Sequence, residues 1–503
     1  MKNIYIYITT IVAALTISCN DTLDIEQAGQ VTPEQTYTSV ANIEKNLYGL
    51  YALLSVRDQV EFNSNWTDEA AIGRNNAGQA LANGTYSYSM LSNSPHATAI
   101  YQTNYVAINN ANRFIIATEN FISKNPALSS NDLSKLNHMI AEAKGLRAFS
   151  YHELITYFVS NYNDDNALGV ILFDNIPTIS TPKQPRASVA EVYNFIETDL
   201  DFVLNNINPA INSSRGYNTS YFISKNFVYA LRARMYLYRG DNYLNQAIEQ
   251  ADLALQQVPD ASYQDYTKIF NDTSSNGVIL KFGRRSNDYL PKMGTIWMDN
   301  SATLNGALYL EVGRSLFNLV EAADIRDKVI TNPLSRLVAS NYSNSTNYLE
   351  TDVLPIGKYV QASGVTLGGD QKIFRSAEMT LIKAEAKIRL GLHTQAQNDI
   401  NTLRSLRFND NLHEVTLTAD MATNLKTLLT ERRLELAFEG FRWVDIKRLG
   451  VLAGNVTFDR DPMDCQYNNS CNSTPSPTDY RFTLPIPQSQ ININSLLVQN
   501  PGY

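Results

Sequence analysis

Two stretches of this 503-residue chain repeat one plan, and that repetition constrains the fold more than any other feature. In 227–259 an apolar helix through Tyr229, Ala230, Ala233, Met235, Tyr236 and Leu237 ends at Gly240, and a second helix runs from about Tyr243 to Gln257. In 376–407, Ala384, Ala386 and Ile388 lead to Gly391, and Ala396 opens the partner helix. Small residues sit where two helices must approach closely. A further helix, 132–160, carries AEAKGLRAFSYHELITYF and is expected to pair with a helix around 101–120. One such pair cannot cover its own apolar face, so at least three stacked units are expected.

Within the first of these units, Ala247, Ala254 and Pro259 keep the offsets of a tetratricopeptide repeat, although the turn after Gly240 is two residues too long. A chain of this length with 44% hydrophobic residues exceeds the usual single domain, which points to two domains or a repeat array. Between the repeats, 57–98, 160–186, 260–372 and 452–490 show no period and are rich in Asn, Ser, Thr, Gly, Pro and Tyr. Tyrosine, phenylalanine and tryptophan are scattered through them, unlike disordered segments, so they read as ordered excursions. The expected fold is mainly α: a tetratricopeptide-like scaffold with long ordered loops, a common plan for a binding protein.

Glu431–Gly450, ERRLELAFEGFRWVDIKRLG, reads as one helix. Leu434, Ala437, Phe438, Phe441 and Val444 recur at three- and four-residue spacing and fall on one face. Arg432/Glu435, Glu439/Arg442, Arg442/Asp445 and Asp445/Arg448 sit three apart and can pair across the helix surface. Such pairs contribute only about 0.2–0.5 kcal/mol each, so this many charges points to a particular docking. Trp443, on the same helix, reads as structural.

The ends bound location. Residues 1–18 carry one charge, Lys2, then an apolar run from Ile4 to Ile17 and the small Ser18 before Cys19. This is the pattern of a secretion signal, too short to span a bilayer comfortably. A cysteine directly after the cleavage position implies lipoprotein processing, with Cys19 acylated and 19–503 forming a soluble body on a lipid tether. The formal net charge is −8, more negative still once Lys2 is removed, and no basic block occurs, which excludes nucleic acid as a partner. Cys465 and Cys471, flanked by Asn, Ser and Pro, are expected to form a local disulfide in an oxidising compartment.

Several segments together resemble the SusD/RagB family, surface lipoproteins of Bacteroidota. They are the lipidation cysteine, a helix near 42–54, the AEAKGLRAFSYHELI helix, ALRARMYLYRGD, SAEMTLIKAEAKIRLG, ERRLELAFEGFRW and the closing LPIPQSQININSLLVQNPGY. The 431–450 segment and the tail from Pro485-Ile486-Pro487 to Asn500-Pro501-Gly502 are the specific ones. The resemblance implies one body with repeats near 101–160, 221–259 and 373–407 and a C-terminal docking helix at 421–450. It also implies an outer-membrane, surface-exposed receptor acting as a lid on a SusC-like TonB-dependent transporter. Its ligand would be a glycan, or a peptide as in the RagB branch.

A glycan site needs aromatic faces for sugar rings, with amide, carboxylate and guanidinium groups aimed at hydroxyls. The family places its site in the loop after the first helices and the long loop in mid-chain. Trp66 with Asn65, Asp68, Arg74, Asn75 and Tyr86, and Trp297 with Tyr289, occupy those stretches and are the candidate ligand residues; buried loop anchors are the competing reading. No HExxH, GxSxG, GxGxxG or P-loop pattern occurs and the five histidines are dispersed, so no enzyme is expected. His152-Glu153 reads as an ordinary helix-surface or interface pair. No cofactor is expected. Asp459, Asp461 and Asp464 in DRDPMD are the candidate ligands of a structural calcium, against a solvated acidic turn.

Overall fold

The computed structural model describes residues 36–73, 76, 78–178, 180–284, 291–299, 308–332, 353–359, 361–362, 365–465 and 474–503. The leader and Cys19 lie outside them. Local rules set the ends of the long helices. Ser129 Oγ accepts from the Asp132 amide at 3.1 Å to start Ser130–Phe158. Ser188 and Glu191 form a reciprocal capping box at the head of Val189–Asn206. Ser224 Oγ caps Lys225–Arg239 through the Phe227 amide at 3.2 Å. As the sequence requires, Gly240 closes that helix, with a left-handed φ of 98° that a side chain would resist. The longer turn that follows is a single 3-10 turn, Asp241–Tyr243, which feeds Leu244–Gln257.

The helices stack in sequence order. Pro95–Lys124 packs along Ser130–Phe158, which packs along Val189–Asn206; Lys225–Arg239 pairs with Leu244–Gln257; Leu244–Gln257 meets Ser376–Arg389, which pairs with His393–Phe408 and Met421–Leu436. Gly145 shows why small residues are needed: an added Cβ would lie 2.8 Å from Ile223 Cγ2 and 3.3 Å from the Phe227 ring. Apolar residues of all these helices fuse into one core. The fold is mainly α and tetratricopeptide-like, with ordered excursions.

The mid-chain excursion has its own core. It leaves and returns on an antiparallel pair, Val278–Phe282 with Gln371–Arg375. A second pair, Ala70–Ile72 with Leu310–Val312, ties the early loop to it. Trp297, Met293, Leu316, Ile330, Ile356 and Tyr359 form the cluster, joined by Val60 and Tyr86 from the early loop. The stretch expected to be loop from residue 57 begins with a helix, Arg57–Trp66. Gln59, Asn63, Ser64 and Asn65 are buried along with Val60, Phe62 and Trp66, so no apolar stripe marks its face.

The single helix expected over 431–450 is two. Met421–Leu436 stops and Arg442–Leu449 restarts after a turn in which Phe438 takes φ 60° and Gly440 φ 89°. The break swings one apolar series onto two cores: Leu434, Ala437 and Phe438 enter the excursion cluster, Trp443, Val444, Ile446 and Leu449 the helical one.

The charges do not form the expected ladder either. Of the four pairs at three-residue spacing only Asp445–Arg448 occurs, at 3.0 Å. The rest reach other elements and are buried. Glu435 binds Arg375 at 2.7 Å and Arg407 at 2.8 Å; Glu439 binds Lys358 at 2.6 Å and Arg375 at 2.7 Å; Glu431 binds Arg326 at 2.5 Å and Arg404 at 2.7 Å. Arg442 holds Asp68 at 2.8 Å, Arg432 holds Asp445 at 2.8 Å, and Arg448 crosses to Glu385 at 2.6 Å. The docking that the charges signalled is internal, of the C-terminal helices onto repeat, excursion and early loop.

Candidate functional site

A groove of about 320 Å³ opens where the first helix, Val40–Leu53, the 215–223 loop and the end of strand Val278–Phe282 converge. Tyr48, Tyr51, Tyr217, Tyr221, Phe222 and Phe282 line it. Helix Val40–Leu53 presents Tyr48 and Tyr51 three residues apart, on one face. Phe222 is the hub: Tyr51 meets it edge-on at 6.0 Å, Tyr217 at 6.5 Å, and the Arg215 guanidinium lies 4.6 Å from its ring centroid. Gly283 brings the strand end against Tyr221, where a Cβ would come within 2.9 Å of the ring.

Carboxylates hold these rings in place. Tyr51 donates to Glu142 at 2.6 Å and accepts from the Ile223 amide at 2.8 Å; Tyr48 donates to Glu44 at 3.1 Å; Tyr221 donates to Asp370 at 2.6 Å. Arg215 ties two of the acids together, to Glu44 at 3.0 Å and Glu142 at 2.8 Å. Lys281 sits 4.4 Å from the Tyr221 centroid and pairs with Asp370 at 2.9 Å. Burial, with the Glu44 carboxylate opposing Arg215, pushes the Tyr48 phenol up to about 12, so it stays a neutral donor. Tyr217 alone of the six is more than half exposed, at 56%. The result is a wall of oriented aromatic faces edged by guanidinium, ammonium and carboxylate groups.

The sequence-derived candidates lie elsewhere. Trp66 has no exposed surface and packs on Phe62 and Tyr88, both at 5.5 Å between centroids. Trp297 is equally closed, stacked on Tyr359 at 6.1 Å, with its indole N–H donating to Ser64 Oγ at 3.2 Å. Tyr86 is sealed under Arg460 at 3.8 Å and donates to the Asp464 carbonyl at 3.1 Å. Asn65 gives its carbonyl to Arg460, and Asp68 is locked on Arg442. None of the five offers a surface to a ligand here; all five anchor the early loop. Arg74, Asn75 and Tyr289 lie outside the described residues. His152, read as a helix-surface or interface residue, lies in a helix–helix interface, buried and packed on Tyr238 at 5.5 Å.

Residues 259–503 match the model of the SusD family. SusD-like protein P2 of Formosa agariphila is 25% identical over 539 aligned positions, 99% of each chain. A SusD superfamily protein of Bacteroides thetaiotaomicron superposes with a TM-score of 0.71 at 22% identity, over 92% of this chain and all of that one. The C-terminal part of the chain thus carries the SusD family match, and the whole chain is similar to SusD-like proteins in sequence and fold. A SusD-like carbohydrate binding protein of Bacteroides vulgatus shares the fold at a TM-score of 0.66 and 18% identity, over 91% of this chain and 97% of that one.

In this SusD-like chain the early loop also carries two adjacent carboxylates with opposite fates. Burial works to raise Asp68, but Arg433 and Arg442 override it and hold the group well below the usual range. On Glu69 burial and the Asp68 charge outweigh Arg433, Arg442 and Lys358 and push the carboxyl up to about 8. The folded protein therefore keeps on Glu69 a proton that the unfolded chain releases near 4.5. Below 4.5 the stabilisation is complete, and it is lost as pH rises towards 8. The urea stability of the native protein minus that of Glu69→Gln should fall by roughly 1.4 kcal/mol per pH unit across that window. A difference independent of pH would show Glu69 to be ionised in the fold.

Among the described residues no three His, Cys, Asp or Glu side chains gather as metal ligands. Asp464 instead accepts from the Arg314 amide at 2.9 Å, and burial pushes its carboxyl up to about 7. Cys465 is disulfide-bonded; its expected partner, Cys471, lies outside the described residues. No described helix is long and apolar enough to cross a membrane.

Proposed function

We propose that this protein is a non-catalytic oligosaccharide receptor that binds its ligand at the aromatic groove. The observation that carries the reading is the set of six aromatic side chains around one groove, three of whose hydroxyls are fixed by carboxylates so that ring faces stay oriented. Sugar rings present apolar C–H faces that such rings cover, while Arg215, Lys281 and the acids meet hydroxyls. The carbohydrate-binding protein of the same fold supports this reading.

The bound glycan is handed to a SusC-like TonB-dependent transporter, with the receptor held at the outer-membrane surface through acylated Cys19. Labelled palmitate should enter the native protein and not Cys19→Ala. Co-purification with the transporter from detergent-solubilised membranes tests the partner.

Calorimetry of the soluble chain beginning at Asn20, against a panel of oligosaccharides and a peptide pool, tests the ligand. Tyr217→Ala is expected to weaken saccharide binding about tenfold, ~1.4 kcal/mol, with the unfolding midpoint unchanged because the ring is exposed. Heat from peptides alone would favour a RagB-like peptide receptor. Silence from both, or turnover of any saccharide, would overturn the proposal.

A further inference from the structure

A larger cleft, about 780 Å³, lies between the 207–220 loops, the head of Lys225–Arg239 and the 257–262 and 275–279 segments. Its chemistry is the opposite of the aromatic groove. No Lys, Arg, His or aromatic side chain lines it among the described residues; amides, hydroxyls and the carboxyls of Asp260 and Asp265 do.

Most of these polar groups are satisfied within the protein. Asn212 donates to the Ile223 carbonyl at 3.0 Å and accepts from Arg215 at 3.0 Å; Asp265 accepts from Asn276 at 2.8 Å and from Lys268 at 3.2 Å. Two are not. Asn226 is 9% exposed, and neither its amide nitrogen nor its amide oxygen has a partner. Asp260 spends Oδ2 on the Thr380 hydroxyl at 2.6 Å and leaves Oδ1 buried without one. Buried polar groups are normally paired, and two orphans on one cleft mark where a ligand supplies the missing bonds.

We propose that this cleft is a second ligand site, for an uncharged, hydroxyl-rich segment such as a stretch of neutral oligosaccharide, held by hydrogen bonds without ring stacking. Asn226 offers a donor and an acceptor side by side, the complement of a vicinal diol. Burial raises the Asp260 carboxyl despite the Thr380 hydrogen bond and the Arg407 and Arg375 guanidiniums, which suits a group that exchanges hydrogen bonds with hydroxyls. The lining itself carries two carboxyls and no cation, and Lys268 beside it is paired to Asp265, so neutral sugars are favoured over uronic or sulfated ones. The site is separate from the aromatic groove and does not rest on the reading given to that groove.

The test uses the soluble chain carrying Tyr217→Ala, so that the groove is weakened and the cleft is intact. Laminarihexaose, mannohexaose and xylohexaose are the neutral probes, trigalacturonate the anionic one, and a neutral tripeptide amide the peptide control. At least one neutral hexasaccharide should bind, trigalacturonate should not, and Asn226→Ala or Asp260→Ala should weaken that binding at least tenfold. Asn226→Ala should leave the apo melting temperature unchanged or raised, because it removes a group with no internal bond; Asn212→Ala should lower it. Absence of neutral-saccharide binding, indifference of that binding to both cleft variants, a lowered melting temperature in Asn226→Ala, or binding of the tripeptide alone would each overturn the proposal. Failure of the groove appears separately, as an unaltered saccharide affinity on introducing Tyr217→Ala into the native chain.

Discussion

Glu435→Ala is expected to destabilise the protein by about 3–5 kcal/mol, the usual result of removing one partner from a buried ion network. Glu435 is fully enclosed, and its carboxylate faces Arg375 at 2.7 Å, Arg407 at 2.8 Å and Arg326 at 3.8 Å. Burial works to raise the Glu435 carboxyl, but the guanidiniums of Arg407 and Arg375 dominate and hold it well below the usual range. Alanine would leave Arg407 in the interior with no carboxylate at ion-pair distance and would thin the charge around Arg375. Glu435→Gln keeps the shape and part of the hydrogen bonding, so it should fall between the two. Chemical denaturation followed by circular dichroism measures both; a loss below about 1 kcal/mol for Glu435→Ala would mean that the network rearranges around water.

Trp297→Ala is the second large effect, again about 3–5 kcal/mol, through the cavity left by a buried aromatic side chain. Trp297 fills the middle of the excursion cluster, stacked on Tyr359, edge-on to Phe438 at 5.8 Å, and bonded to Ser64. It therefore holds the excursion, the early loop and the C-terminal break together. Trp297→Phe retains a ring there and should lose much less. The sequence alone allowed a ligand-stacking role, and the two readings part cleanly. A stacking tryptophan would lose saccharide affinity at unchanged stability, whereas the buried one loses stability first and affinity only where folding fails.

The sequence carried the helical scaffold because its signals are local. Apolar spacing in 225–257 and 376–407, and the chain-reversing Gly240 and Gly391, need no knowledge of the rest of the molecule. Arg57–Trp66 escaped because its buried face mixes Gln59, Asn63, Ser64 and Asn65 with Val60, Phe62 and Trp66, so polarity does not follow burial and sets no apolar period. The break at 437–441 escaped because Phe438 continues the apolar spacing while adopting a left-handed backbone that bulky residues rarely take; Gly440 was the only warning. The charge spacing was legible, but its partners Arg326, Arg375 and Arg407 are far away in the chain.

The candidate site was the least legible part. Tryptophan is rare here, so Trp66 and Trp297 drew attention, yet a large ring beside ordered loops is as useful for closing a core as for meeting a ligand. Tyr48, Tyr51, Tyr217 and Phe222 become a wall only once the first helix and the 215–223 loop meet. The cue available in the sequence was the run Tyr217, Tyr221, Phe222 between two helical repeats.

Because the split C-terminal helices supply the counter-ions and apolar plugs for elements made much earlier, the order of synthesis matters. A nascent chain ending before residue 431 holds Arg326, Arg375 and Arg407 with no Glu431 or Glu435 to receive them, and an excursion cluster missing Leu434 and Phe438. The excursion cluster and the buried ion network are completed only when the last stretch is present, so the final locking of the fold comes late. Prematurely terminated chains should be cleared by proteases and leave no stable half-sized product.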